Sequence, residues 1–363
     1  MSEDLDGLQA LFADFGQDMT NTAPLYAWLA RSVAQDPEVA GLLLANDNAE
    51  LRVCALFFAA VHNEILIDPS VPIASYYRSV TAKPRDDDPW PTFREFCLER
   101  STSIRRTIAT RTTQTNEIGR CALFLPALGI VADEVGPLSL LDVGTSAGLN
   151  LNLDRYSYRY QPGSDLDPSA GVSAAVLPCE ANAATPIPPA LPTIAARRGL
   201  DQSPVDVRDP AQARWLQACV WPEKPERFTR LAAALEISRG HPLAVFAGDA
   251  IADVAAQARE AASEGHPVVL NSWVLNYLSG AQRNAYLEQL DLVGAELDLT
   301  WLFAESPKLA PELPFGSDPD KPEATHLVLV CWRSSVRSVE PLAICHPHGA
   351  WISWRGSSES PIA

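Results

Sequence analysis

The chain contains no run of about eighteen consecutive apolar residues, the length that crosses a bilayer, so nothing in it reads as membrane-spanning. It also has no Cys-x-x-Cys pair. The seven cysteines, at 54, 97, 121, 179, 219, 331 and 345, are odd in number and scattered, which removes the common zinc and dithiol patterns and leaves reduced core thiols. Basic residues are scarce: 28 Lys and Arg stand against 45 Asp and Glu, and the formal charge of −17 repels nucleic acid and anionic membranes alike. Met1-Ser2-Glu3-Asp4-Leu5-Asp6 is acidic where a secretory signal is basic, so a cytoplasmic protein is expected. No internal repeat is evident.

There is ample material for a core. Hydrophobic residues make up 47% of the 363 positions and nine are Trp, enough for one large domain or a main domain with an accessory one. Over residues 5–135 the apolar positions recur at helical spacing, as in Leu5, Leu8, Leu11, Phe12 and Phe15, then Leu25, Trp28, Leu29 and Val33. The stretches 51–67 and 117–132 are long and apolar enough for buried helices, with a kink expected at Pro126. Composition makes 83–91 a loop, and six arginines with three glutamates between Arg94 and Arg120 form a locally basic stretch.

From Pro137 short apolar runs alternate with amphipathic stretches, the pattern of βαβ units. Strands are expected at 138–143, 193–200, 242–247, 267–272, 298–304 and 326–332. Tyr156, Tyr158 and Tyr160 alternate with polar residues ahead of Gly163-Ser164-Asp165 and Val172–Val176, which suggests a hairpin beside the sheet. Pro186–Pro192 is a linker and 311–322, rich in Pro and Asp, a surface loop. The expected division is a helical region at 1–136 and an α/β domain at 137–363, a doubly wound, mostly parallel sheet interrupted at about 155–192.

The expected site begins at the strand-to-helix turn Leu140–Asn150, in which Asp142 ends an apolar strand and Gly144-Thr145-Ser146-Ala147-Gly148 follows. Glycines let a backbone approach a ligand closely, and the amides opening a helix point at it. The same five residues spell Gly-x-Ser-x-Gly, the nucleophile elbow of α/β-hydrolases, and Asp249 with His346 or His348 would complete a Ser, acid, His order. The elbow normally follows several strands, whereas about 135 helical residues precede this one. Further polar groups end the later strands: Asp201 in Gly199-Leu200-Asp201-Gln202-Ser203-Pro204, Asp249 in Ala247-Gly248-Asp249-Ala250, and Asn271 in Val268–Leu278.

That order of strand ends resembles the class I S-adenosylmethionine-dependent methyltransferases over about residues 138–305. The resemblance implies S-adenosylmethionine as cofactor. Asp142, Gly144, Ser146, Gly148 and Asn150 would lie at its amino-acid end, Asp201 at the ribose, Asp249 and Ala250 at the adenine, and Asn271 on the reactive side. Asp201 lies much further beyond Gly144 than the about 20 residues usual in dinucleotide folds, so Asp165 is the alternative ribose ligand. Nearly the whole chain also looks like the bacterial family catalogued as domain of unknown function 2332. The strings that carry this include Leu56–His62, Arg111–Glu117, Asp154-Arg155-Tyr156, Ala213–Leu216, Val220–Glu223 and His346–Gly349.

A substrate would be met by Arg111, Gln114, Asn116 and Arg120, polar residues ahead of an apolar helix, with Asn116, Glu117 and Arg120 spaced to share one face. Thr113 or Thr115 followed by Glu117 also approximates a capping box. Glu117, His62 and Tyr277 are the candidate bases for methyl transfer to a small-molecule acceptor, although His62 sits among apolar residues as a core histidine would. Trp215 and Trp221 read as packing residues, and His346 with His348 supply too few ligands for a metal. A non-catalytic cofactor-binding protein and a serine hydrolase acting through Ser146 are the alternatives.

Overall fold

The computed structural model describes residues 2–49, 53–316 and 321–355. Helices run in the order α1 (Ser2–Asp18), α2 (Pro24–Val33), α3 (Pro37–Ala40), α4 (Cys54–Ile67), α5 (Trp90–Glu99), α6 (Ser101–Thr110) and α7 (Cys121–Val135). Five strands follow: β1 (Leu138–Val143), β2 (Ser157–Gln161), β3 (Ser164–Leu166), β4 (Val176–Ala181) and β5 (Ile194–Asp201). Then come α8 (Pro210–Ala218), α9 (Pro225–Gly240), β6 (Ala244–Ala247), α10 (Ala250–Ala261), β7 (His266–Ser272) and α11 (Gly280–Glu296). The strands β8 (Leu299–Glu305), β9 (Thr325–Arg333), β10 (Val336–Cys345) and β11 (Trp351–Trp354) end the described chain. Among the described residues no helix is long and apolar enough to cross a membrane.

Two compact units result, Met1–Thr115 with Arg208–Ala232, and Asn116–Val207 with Ala233–Ala363. The boundary therefore falls at 115 rather than 136, and a later segment rejoins the helical unit. The physical reason is packing: α7 contacts β4 and β9, so it belongs to the sheet. Trp215 and Ala218 of α8 are buried in the same core as Phe12, Phe57 and Phe93, so that segment belongs with the helices.

In the helical unit α4 is apolar around its whole circumference and is buried from Cys54 through Ile65 with one break, as a central helix must be. Residues 51 and 52 of the expected 51–67 helix lie outside the described residues. Asp36 caps α3 by accepting from the amides of Glu38 and Val39, and Arg94 donates to Asp36 Oδ2 at 2.6 Å. The arginines of 94–120 form no single basic patch. Arg94 pairs with Asp36 and Glu38, Arg100 with Asp68, Arg105 donates to the Gly41 carbonyl, and Arg111 lies over the Trp215 ring.

The sheet unit is built on eleven strands in the order β3-β2-β4-β11-β10-β9-β8-β7-β1-β5-β6. From β6 to β8 every pairing is parallel, then β8 to β11 are antiparallel. The expected hairpin exists as β2 and β3, which with β4 extends the main sheet instead of lying beside it. All six expected strands form within two residues of their expected ends. Helices α10 and α11 cover β1, β7 and β8 with Val254, Ala258, Tyr286, Leu290 and Val293. Helix α7 runs on through Pro126, and the expected surface loop at 311–322 sends Leu313 and Phe315 into the core; its residues 317–320 lie outside the described residues.

Candidate functional site

Strand β1 is buried along its whole length and ends in a turn with three left-handed residues, Gly144 (φ 78°), Ser146 (φ 52°) and Gly148 (φ 71°). Gly144 has no room for a side chain, since an added Cβ would lie 2.4 Å from Val274. Ser146 carries a side chain in a conformation that costs energy, so its surroundings must hold it there. Its amide donates to Asp201 Oδ2 at 2.7 Å, its carbonyl accepts from the Val205 amide at 3.1 Å, and Asn116 Nδ2 donates to its hydroxyl at 2.9 Å. The helix that follows the turn is a 3₁₀ helix, Leu149–Arg155, so few aligned amides open toward a ligand.

The acids at the strand ends share one edge of the sheet. In the parallel register Asp142 pairs with Gly199 and Asp201 with Ala247, and Gln202 Nε2 donates to Asp249 Oδ2 at 3.3 Å. Asp142 accepts from Thr145 Oγ1 at 2.8 Å, and burial pushes its carboxyl up to about 7, with the charge of Asp201 adding and Arg120 opposing. Asp201 spends one oxygen on the Ser146 amide and the other on the Ser203 amide, both at 2.7 Å. Asp249 is the N-cap of α10, whose first residue is Ala250; the amides of Ala252 and Ile251 hold its carboxyl below the usual range. Asp165 lies on β3, the strand at the far edge of the sheet from β6, and pairs with Arg159.

Asn271 spends its side chain inside the core. It is fully buried: its Nδ2 donates to the Val143 carbonyl, while its Oδ1 accepts from Tyr286 and from Trp301 Nε1 at 2.9 and 2.7 Å. At the next residue of β7, the Ser272 carbonyl accepts from Arg120 Nη1 at 3.0 Å. Glu305, an acid at the end of an apolar strand like Asp142 and Asp201, escaped the sequence reading although it carries the same signal. Its Oε1 accepts from the Val274 and Leu275 amides at 2.7 and 3.0 Å, its Oε2 is buried without a partner, and burial pushes it up to about 7 against the Arg120 charge. Arg120 thus sits as a buried cation acting on two carboxyls with near-neutral pKa values.

The model of one bacterial family matches residues 9–354 of this chain. The chain belongs to that family, described as uncharacterized protein conserved in bacteria, domain of unknown function 2332. No curated protein and no solved structure matches it. Every strand-end acid of this domain of unknown function 2332 protein lies inside the matched span.

The segment ahead of α7 meets the turn only in part as expected. Asn116 bridges Ser146 and the Ala147 amide, and Cys121 lies 3.5 Å from Asn150 Oδ1, so Asn116 and Asn150 join the turn, while Arg120 reaches the end of β7 at the Ser272 carbonyl. Glu117 is itself a cap, accepting from the Gly119 amide at 3.0 Å, so neither Thr113 nor Thr115 makes the capping box and Glu117 shares no long helical face with Arg120. Gly119 and Gly349 touch backbone to backbone, which places the His346–Gly349 string beside Arg120; Arg120 Nε donates to the Pro347 carbonyl at 2.9 Å.

Four candidates remain. Arg111 and Gln114 belong to the helical unit, where Arg111 packs on Trp215 and the Gln114 backbone meets the Cys219 thiol. His62 is a core histidine: its Nδ1 pairs with the Ala218 carbonyl and its Nε2 with Ser79 Oγ, at 3.0 and 2.8 Å, and burial lowers its pKa to about 4. Tyr277 is 83% exposed, so packing does not fix its hydroxyl at a reacting atom. Among the described residues no group of three or more His, Cys, Asp or Glu is placed to hold a metal ion.

Proposed function

We propose that the carboxyl edge of β1, β5 and β6 binds S-adenosylmethionine, and that the protein transfers a methyl group to a small-molecule acceptor. The observation that carries this is the Ser146 amide to Asp201 bond, which joins the glycine turn of β1 to the acid ending β5. The strand order β6-β5-β1-β7-β8, parallel throughout, supports it, because β1 lies where the chain's progress across the sheet reverses and open α/β sheets take ligands at such a point.

The residues fit the adenosyl end of the cofactor best. Each Asp201 oxygen accepts one amide and so keeps a lone pair for a ribose hydroxyl, and Asp249 with Gln202 offers an acceptor and a donor beside it. Toward the amino-acid end stand Asp142, Ser146 and Asn150, with Asn116 holding Ser146 in place. When bound, the sulfonium supplies an electrophilic methyl. The protein's part is then positioning, with Glu305 as the buried carboxyl able to exchange a proton near neutral pH.

Calorimetry with S-adenosylmethionine and S-adenosylhomocysteine tests this. Saturable micromolar binding that Asp201→Asn weakens supports it, and no heat at millimolar ligand sinks it. One observation favours a second reading, a binding protein without catalysis: Val274 fills the space at Gly144 that a close-approaching ligand would use. Binding without methyl transfer across a metabolite panel selects that reading. The left-handed Ser146 within Gly-x-Ser-x-Gly keeps the serine hydrolase as a third, although the 3₁₀ helix after the turn and the position of β1 as the first strand weigh against it. Labelling of Ser146 by a fluorophosphonate selects it.

A further inference from the structure

Far along the sheet from β6, three neighbouring strands carry a row of side chains that the proposed function does not use. Gln161 of β2 is the register partner of Glu180 of β4, and Glu180 is in turn the partner of Trp351 of β11. Register partners on neighbouring strands stand about 4.8 Å apart and point to the same face. Tyr160 and Cys179, just before the first two, and Ile352, just after the third, are buried, whereas all three members of the row are exposed, Trp351 by 37%. The row lines an open cavity of about 720 Å³, a volume within the range of small-molecule sites. Among the described residues neither the Glu180 carboxylate nor the Gln161 carboxamide has a hydrogen-bond or ion-pair partner. Asn182, which also lines the cavity, spends its amide on the Trp354 backbone. The lining holds one acid and no base. Arg159, two residues before Gln161 and so on the same face, is already paired with Asp165 and Asp167.

An unpaired carboxylate beside an indole ring in one cavity selects for positive charge, since the carboxylate is a counter-charge and the ring face attracts cations. It also repels anions. Among organic cations a guanidinium makes the fullest use of the row. It is flat, so one face can lie on the indole while its edge donates to the carboxylate and to the Gln161 amide oxygen, and it is more weakly hydrated than an ammonium, which favours it in an open pocket. A quaternary ammonium has no N–H to donate. We propose that Gln161, Glu180 and Trp351 form a binding site for the guanidinium group of a small molecule.

The test uses the full chain with methylguanidinium chloride, followed by proton saturation-transfer NMR at constant ionic strength, and with tetramethylammonium chloride for comparison. Methylguanidinium should bind saturably in the millimolar range, and tetramethylammonium at least about fivefold more weakly. Glu180→Gln should weaken methylguanidinium at least about tenfold and Trp351→Ala about fivefold. Thermal melting checks that the variants fold; should Trp351→Ala fail, Glu180→Gln decides alone. The chain carries 45 Asp and Glu to which a cation can adhere, so the Glu180→Gln/Trp351→Ala double variant is the blank. Saturation transfer of equal strength in that variant places the cation elsewhere and overturns the proposal, as do unsaturable binding and equal affinity for tetramethylammonium. An end-blocked Gly-Arg-Gly peptide that binds more than about tenfold tighter than methylguanidinium overturns the small-molecule assignment in favour of a protein partner.

Discussion

Asn116 grips the glycine turn from both ends of its amide: Nδ2 donates to Ser146 Oγ at 2.9 Å and Oδ1 accepts from the Ala147 amide at 3.3 Å. Ser146 is held in a left-handed conformation, so these bonds maintain a backbone that would otherwise relax. Asn116→Ala should destabilise the protein by about 1–2 kcal/mol, the worth of two partly buried hydrogen bonds. Combined with Ser146→Ala the losses should fall short of additive by about 0.5–1 kcal/mol, because the two residues share one bond. Urea unfolding of the single and double variants measures this, and strict additivity would show that the contact carries no weight.

Gly349 shows why the His346–Gly349 string is what it is. Its φ is 80°, and an added Cβ would lie 1.9 Å from the Gly119 carbonyl oxygen, which belongs to backbone and cannot turn away. Gly349→Ala should therefore cost more than about 4 kcal/mol or prevent folding. Gly171 is the control: its φ is 103° but nothing lies within 4 Å of an added Cβ, so Gly171→Ala should cost only about 1 kcal/mol. Thermal melting of both variants compares them, and similar losses would contradict the close approach.

The parallel strands were legible because each carries a short apolar run; β1 and β8 are buried at every residue. Strand β10 was missed because Val336, Arg337 and Ser338 are exposed and a register shift falls beside Pro341, so neither an apolar run nor clean alternation marks it. Asp142 and Asp201 were legible as acids ending strands. Asn271 was legible as a strand-end polar group, but its burial in a hydrogen-bonded core was not, since sequence fixes alternation without saying which face is packed. The return of 208–232 to the helices was invisible for a related reason. The apolar stripe of α8 shows that Trp215 is buried and does not name the core that buries it.

Glu305 and Asp142 carry folded-state pKa values pushed up to about 7 by burial, and both feel Arg120. An unfolded carboxyl titrates near 4, so between about pH 4 and 7 the folded protein holds protons that the unfolded chain has released. Stability from these groups is thus greatest below about pH 4 and is lost as pH rises toward about 7, the reverse of an ion-paired carboxylate. Glu305→Gln keeps an oxygen for the Val274 and Leu275 amides and removes the titration. Relative to wild type the variant should gain on the order of 2 kcal/mol between about pH 5 and 8, read from urea unfolding at several pH values. A pH-independent difference would mean that Glu305 stays ionised in the folded protein.

Asn271 and Asp201 separate structure from binding. Asn271 joins β7 to the Val143 carbonyl and to Tyr286 and Trp301, so Asn271→Ala strands three buried groups and should cost about 3–4 kcal/mol. Because its amide is spent within the core, S-adenosylhomocysteine affinity of the folded fraction should stay within about twofold of wild type. Asp201→Asn should show the opposite balance. It keeps one acceptor oxygen, so it should cost only about 1–2 kcal/mol of stability from the bonds to Ser146 and Ser203, while lowering affinity at least about tenfold by removing the charge and acceptor beside the ribose. Calorimetry paired with urea unfolding distinguishes the two variants. If Asn271→Ala loses affinity as steeply as Asp201→Asn, the ligand lies on the Asn271 face of β7 and the assignment of the site to the edge of β1 and β5 fails.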